Sequence, residues 1–176
     1  DMFDERFFGI TPREAELMDP QHRAFLEQVW HTLEDAGIDP SRTDFPISIW
    51  GGTGYNYYLE DHVLHHPQKI AAFGHLGIMI ANEKDYVPMR ASSQFNLRGP
   101  SFCVSTACST SLVAVANAFN SLKAGLCHVG VAGAVSFPMP VRAGYLYQPG
   151  AIGSEDGVCR PYDAGANGTV FGGGGA

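Results

Sequence analysis

The chain has 176 residues, 45% of them hydrophobic and 16% charged, enough apolar material for one globular domain or a large piece of one. Its net charge is −7 and no Lys/Arg run occurs, so neither nucleic acid nor an anionic membrane surface is an expected partner. Four cysteines, Cys103, Cys108, Cys127 and Cys159, lack both the paired spacing of a zinc site and the density of a secreted disulfide scaffold, so no metal is expected and a reducing cytoplasm is the expected location.

Thr11-Pro12-Arg13-Glu14 carries a capping box with Pro at the first helical position, which predicts a short helix. Asp19-Pro20 repeats the start signal. Phe25, Val29 and Leu33 then recur at helical spacing until Gly37 supplies a left-handed stop, which predicts a second helix. Ile47-Ser48-Ile49-Trp50 alternates as a strand would, with Gly51-Gly52 as its tight turn. A helix is expected over 55–66 and another over 85–95, where Pro88 falls early enough to be tolerated, with Asn96 to Pro100 as the punctuation after it. Phe102-Cys103-Val104 predicts a short strand. The stretch 109–124 is apolar over most of a helical circumference, which predicts a buried helix stopped by Gly125. The run 129–135 predicts a strand buried on both faces, and long loops follow Pro138. No apolar stretch reaches a membrane-spanning length and no leader opens the chain, so a soluble protein is expected. Both ends read as truncations, the second in the glycine run Gly172-Gly173-Gly174-Gly175.

The informative geometry is strand, sharp turn, Cys108, helix. Unpaired N–H groups and the positive end of the helix dipole favour an anion at a helix start, and so favour a nucleophilic thiolate on Cys108. Ser109, Thr110 and Ser111 can satisfy the first turn, and Ala107 leaves room beside the sulfur. Taken without its neighbours, a Cys ahead of an apolar helix is more simply a small buried hydrophobe. Cys103 and Cys127 are read that way, and Cys159 is assigned no chemistry.

The neighbours favour the nucleophile. Val104-Ser105-Thr106-Ala107-Cys108-Ser109-Thr110-Ser111-Leu112 resembles the active-site segment of type I polyketide synthase ketosynthases, of the thiolase-like β-ketoacyl synthase family. Phe7-Phe8-Gly9-Ile10 and Met18-Asp19-Pro20-Gln21-His22-Arg23 resemble the family's amino-terminal signature, and Leu97-Arg98-Gly99-Pro100-Ser101 precedes the cysteine as the family pattern requires. Asp156-Gly157-Val158-Cys159-Arg160-Pro161-Tyr162-Asp163-Ala164 follows it in register. Asn82-Glu83-Lys84-Asp85-Tyr86 and Gly144-Tyr145-Leu146-Tyr147-Gln148 look like the ketosynthases of modular, often hybrid peptide-polyketide, assembly lines. Ser105 departs from the pattern, standing where many relatives have an acidic residue.

The resemblance implies a layered α/β/α/β/α thiolase-like fold, of which residues 1–176 would be the amino-terminal half. It implies that Cys108 takes an acyl group from the phosphopantetheine of an acyl carrier protein and that a malonyl-type extender is then condensed onto it with loss of carbon dioxide. The Cys108 N–H would form part of the oxyanion hole. No cofactor is expected to bind directly; other polyketide synthase domains are the expected partners, and the whole domain is expected to be a homodimer. The family's catalytic histidines and lysine belong to motifs not found here, so His22, His31, His62, His65, His66, His75 and His128 are read as structural or surface residues, and the chain alone as unable to complete a condensation. Tyr145, Tyr147 and Met139 are equally readable as acyl-channel lining or ordinary packing. The rival readings are a coenzyme A-dependent thiolase or chalcone-synthase relative, and a non-catalytic partner for dimerisation or carrier docking.

Overall fold

The computed structural model describes residues 2–138 and 144–176, so Met139 lies outside the described residues. The two predicted start signals act as caps. The Thr11 hydroxyl accepts from the Glu14 N–H ahead of α1 (Pro12–Leu17), and the Asp19 carboxylate accepts from the Gln21 N–H at 2.8 Å ahead of α2 (Pro20–Asp35). Gly37, at φ +67°, ends α2.

Strand β1 is Ile47–Thr53, so Gly51 and Gly52 belong to the strand and do not form its turn. Their use is close approach. A Cβ on Gly51 would lie 2.3 Å from the Phe25 ring of α2, and one on Gly52 would lie 2.1 Å from the Val104 carbonyl oxygen. The expected helix over 55–66 is a five-residue π-helix, Leu59–Val63. The stretch after it, for which no element is predicted, forms α3 (Pro67–Phe73) and α4 (His75–Asn82). Helix α5 (Tyr86–Phe95) ends on Asn96 in the left-handed region.

Strand β2 is Arg98–Cys103, which begins inside the residues read as punctuation. It is the edge strand of the order β2-β1-β3-β4, and an edge tolerates Pro100, whose missing N–H breaks no ladder on the open side. Helix α6 (Thr110–Lys123) and β3 (Val129–Ser136) fall where predicted. Both β2 and β3 run parallel to β1, while Gly174–Gly175 pairs antiparallel with β3 as β4. The terminal glycines therefore form the edge strand opposite β2.

Consecutive strand residues face opposite sides of a sheet. Gly51 meets Phe25 of α2 while Gly52 meets Thr110 of α6, so α2 and α6 cover opposite faces and the molecule has three layers. The α2 side holds the main core, with Met18, Phe25, Leu26, Val29, Leu33, Ile47, Ile49, Phe95 and Val131. On the other side α6 packs through small residues: Ala114, Ala118 and Ser121 are buried, and a Cβ on Gly130 would lie 3.1 Å from that of Ala118. The rest of the helix differs from the expectation of burial all round. Leu112 is 75% exposed and Phe119 60%, with Val115 and Leu122 exposed beside them. The apolar circumference is real, and half of it has no cover within the described residues.

His22 is buried in the α2 side, and neither ring nitrogen has a hydrogen-bond partner among the described residues. Burial, and then the nearby Arg90 guanidinium, lower its pKa from 6.5 to about 3, with the Glu83 backbone opposing weakly. A proton taken up only by the unfolded chain between those values means that stability is complete above pH 6.5 and is lost as pH falls toward 3. The loss attributable to His22 between pH 7 and 4.5 is expected to be roughly 2–3 kcal/mol. Urea unfolding at the two pH values checks this, with a shallower pH dependence expected for His22→Leu.

Candidate active site

The three parallel strands end on the same side, and the chain leaving each one contributes to a single recess of about 650 Å3. Open α/β sheets bind ligands at the carboxyl ends of their strands. Thr53, Gly54 and Tyr55 line the recess from the end of β1, Ser136 from the end of β3, and Ser105, Ala107 and Cys108 from the connection after β2. Lys84 reaches it from the turn between α4 and α5, as its one charged side chain among the described residues.

Cys108 is solvent-exposed and sits in the single 3-10 turn Ala107–Ser109 that leads into α6. The turn is strained: Ala107 has φ +53°, a left-handed conformation that costs a non-glycine residue of order 1 kcal/mol. Neighbouring hydroxyls hold it there. Thr110 Oγ1 donates to the Ala107 carbonyl at 2.8 Å and accepts from the Thr106 N–H at 3.1 Å, while Ser109 Oγ donates to the Thr106 carbonyl at 2.8 Å. These residues therefore brace the elbow, and Ser109 at the N-cap makes no side-chain capping bond to α6. The elbow also rests on β1, because Val104 N–H donates to the Gly51 carbonyl at 2.8 Å.

The other thiols are differently placed. Cys127 is buried, its Sγ 3.1 Å from Ser48 Oγ. Cys103 is half-buried, short of the full burial expected of it; burial, and then the Asp85 carboxylate, push its thiol up from the ordinary value against the pull of Lys84. Cys159 is exposed in a loop organised by Ser154, whose Oγ lies 2.8 Å from Asp156 Oδ1 and 2.7 Å from Asn167 Oδ1. Hydrogen bonds from Arg160 and then Ser154 hold the Asp156 carboxyl well below the usual carboxylate range. None of these three cysteines lines the recess, nor does any histidine among the described residues.

Tyr145 packs and does not line the recess: its hydroxyl donates to the Ser154 carbonyl at 2.6 Å and its ring meets Phe171 edge-on. Tyr147 is exposed and also outside the lining. The adjacent His65 and His66 belong to no group that could hold a metal ion among the described residues. No helix among them is long and apolar enough to cross a membrane.

An exposed thiol carried on a strained turn over the carboxyl ends of parallel strands defines an α/β fold with a cysteine at its strand-end recess. The family described as Beta-ketoacyl synthase, N-terminal domain, matches residues 1–176, and the chain belongs to that family. Its relatives include polyketide synthases. A phenolphthiocerol/phthiocerol polyketide synthase protein of Mycobacterium tuberculosis is 47% identical over 180 residues, covering 99% of this chain and 12% of that protein. The 6-methylsalicylic acid synthase of Penicillium terrestre is 41% identical over 170 residues, covering 96% of this chain and 9% of that one. Among solved structures, ketosynthase twelve of the bacillaene polyketide synthase of Bacillus amyloliquefaciens superposes with a TM-score of 0.88 at 32% identity, over 99% of this chain and 30% of that one. The module 1 ketosynthase of the bacillaene synthase of the same species gives 0.80 at 30% identity, over 99% and 31%. The fold is thiolase-like, and the chain spans about an eighth of the first of these relatives' length and under a third of each ketosynthase.

Proposed function

We propose that residues 1–176 form the amino-terminal half of a ketosynthase domain of a polyketide synthase, and that Cys108 is its acyl-accepting nucleophile. The observation that carries this is the exposed thiol on the strained Ala107 turn, the one cysteine lining the recess among the described residues. In the first half-reaction the Cys108 thiolate attacks the carbonyl of an acyl group held as a thioester on the phosphopantetheine of an acyl carrier protein. The carbonyl oxygen becomes an oxyanion beside the Cys108 N–H. The bond to the carrier's sulfur then breaks, that sulfur leaves as a thiol after taking a proton, and the acyl group remains on Cys108.

In the second half-reaction a malonyl-type thioester on a carrier protein loses carbon dioxide, and the resulting enolate attacks the Cys108 thioester. A carbon-carbon bond forms, the Cys108–carbonyl bond breaks, and a β-ketoacyl chain leaves on the carrier. The histidines and lysine this step requires are proposed to come from the rest of the domain, in keeping with the recess lacking histidine among the described residues. The same portion is proposed to cover Leu112, Val115 and Phe119 of α6. A homodimer of the whole domain accords with the open edge of β2, and a cytoplasmic site with four free thiols.

The test uses the whole ketosynthase domain, supplied with an acyl group on a carrier protein or on coenzyme A at equal concentration, and a malonyl carrier. Formation of β-ketoacyl carrier with faster use of the carrier-bound donor is the expected result. Equal or better use of coenzyme A contradicts the carrier assignment.

A further inference from the structure

Gln21 is 2% exposed, yet its carboxamide is wholly engaged, chiefly with groups distant in sequence. Its Oε1 accepts from the Gly54 N–H at 3.1 Å and from the Phe137 N–H at 3.3 Å. Its Nε2 donates to the Tyr55 carbonyl and to Asp19 Oδ2, both at 3.1 Å. Gly54 and Tyr55 are the first residues beyond β1, and Phe137 is the first beyond β3. One side chain from the start of α2 therefore holds the backbone of both strand exits.

Those exits are walls of the recess, because Gly54, Tyr55 and Ser136 line it together with Cys108. They also touch one another: Gly54 N–H donates to the Val135 carbonyl at 2.9 Å, and a Cβ on Gly54 would lie 2.5 Å from Ser136 Oγ. The amide is itself fixed by Asp19, whose other oxygen caps α2. The chain of contacts runs from the α2 cap through Gln21 to the walls facing the acyl group.

We infer that Gln21 is a positioning residue, which sets the spacing of the β1 and β3 exits and so the fit of the acyl donor against Cys108. The inference rests on the proposed role of Cys108. An apolar replacement removes four hydrogen bonds at once and leaves the buried Asp19 Oδ2 and the partly buried Phe137 N–H short of this partner, which favours a shift of the exits to find others.

The experiment measures the acylation rate of the whole domain by a short-chain acyl thioester, expressed per folded domain as counted by the amplitude of its cooperative unfolding, so that misfolded protein drops out. Gln21→Met keeps the side-chain volume and is expected to slow the per-site rate about ten-fold or more, since displacements near 1 Å at a reacting centre have large kinetic effects. Gln21→Glu is expected to be slow as well, because a second carboxylate then faces Asp19. In Asp19→Asn/Gln21→Glu the introduced amide donates to the introduced carboxylate and the repulsion at residue 19 is removed, but the Tyr55 carbonyl still lacks its donor, so the rate is expected to recover only in part. An unchanged per-site rate in Gln21→Met, accompanied only by lower stability, overturns the inference. So does a double variant no faster than Gln21→Glu, which keeps the test decisive even where Gln21→Met yields little folded protein. Acylation of the parent domain at some residue other than Cys108 overturns the underlying reading and this inference with it, and it is seen in the parent alone.

Discussion

Cys108→Ala in the whole domain is expected to lower acyl transfer from a thioester donor by about 10³-fold or more while leaving the fold intact, because the proposed nucleophile, and with it covalent catalysis, would be lost. The side chain is exposed and makes no hydrogen bond among the described residues, so its removal should change stability by no more than about 0.5 kcal/mol. No other thiol is positioned to substitute. Cys103, Cys127 and Cys159 all lie outside the recess lining, and Cys159→Ala is the matched control, expected to acylate at the parent rate. Kinetics with a chromogenic or carrier-bound acyl thioester, alongside thermal unfolding of each variant, separate loss of chemistry from loss of structure.

Gly52→Ala is expected to have the second largest effect, although position 52 carries no functional group. Its methyl would sit 2.1 Å from the Val104 carbonyl oxygen and 2.8 Å from Thr110 Cγ2. Val104 cannot easily retreat, since its N–H is bonded to the Gly51 carbonyl, and Thr110 is the residue that braces Ala107. Relief of the clash requires about 1 Å of movement in the elbow that carries Cys108, for which an acylation rate about 10²-fold lower is expected. The accompanying overpacking should cost about 1–3 kcal/mol of stability. Gly172→Ala, where an added Cβ meets nothing within 4 Å, is expected to behave as the parent. An acylation rate in Gly52→Ala within a few-fold of the parent would show that the elbow tolerates displacement.

These two positions mark what the sequence discloses and what it hides. The setting of Cys108 is legible because residues adjacent in the chain define it: a strand before it, small residues beside it, a helix after it. The α2 helix is legible for the same reason, with cap, apolar period and stop all local. Gly52 reads as half of a turn and is not one, since a glycine pair after a short alternating run carries the same local signal whether it turns the chain or admits a neighbour. Its reason lies in Val104 and Thr110, more than fifty residues away. The left-handed Ala107 has no sequence signal either, because alanine is not a residue that advertises positive φ; the hydroxyls of Thr110 and Ser109 help to hold it there.

The α6 helix is a subtler case. Its apolar circumference correctly indicates two contact faces, but periodicity cannot say what supplies the second. Here β1 and β3 cover Ala114 and Ala118 while Leu112 and Phe119 remain bare. Gln21 stands in the Asp19-Pro20-Gln21-His22 segment with no visible task, since its partners beyond Asp19 are 33, 34 and 116 residues distant.

The most direct test of the central claim is to incubate the whole domain briefly with an acyl thioester, digest it, and locate the acyl group by peptide mass spectrometry. The adduct is predicted on the peptide containing Cys108, in up to one equivalent per chain, and absent from Cys108→Ala. An adduct chiefly on Cys159 or any other residue, or undiminished acylation in Cys108→Ala, would contradict it.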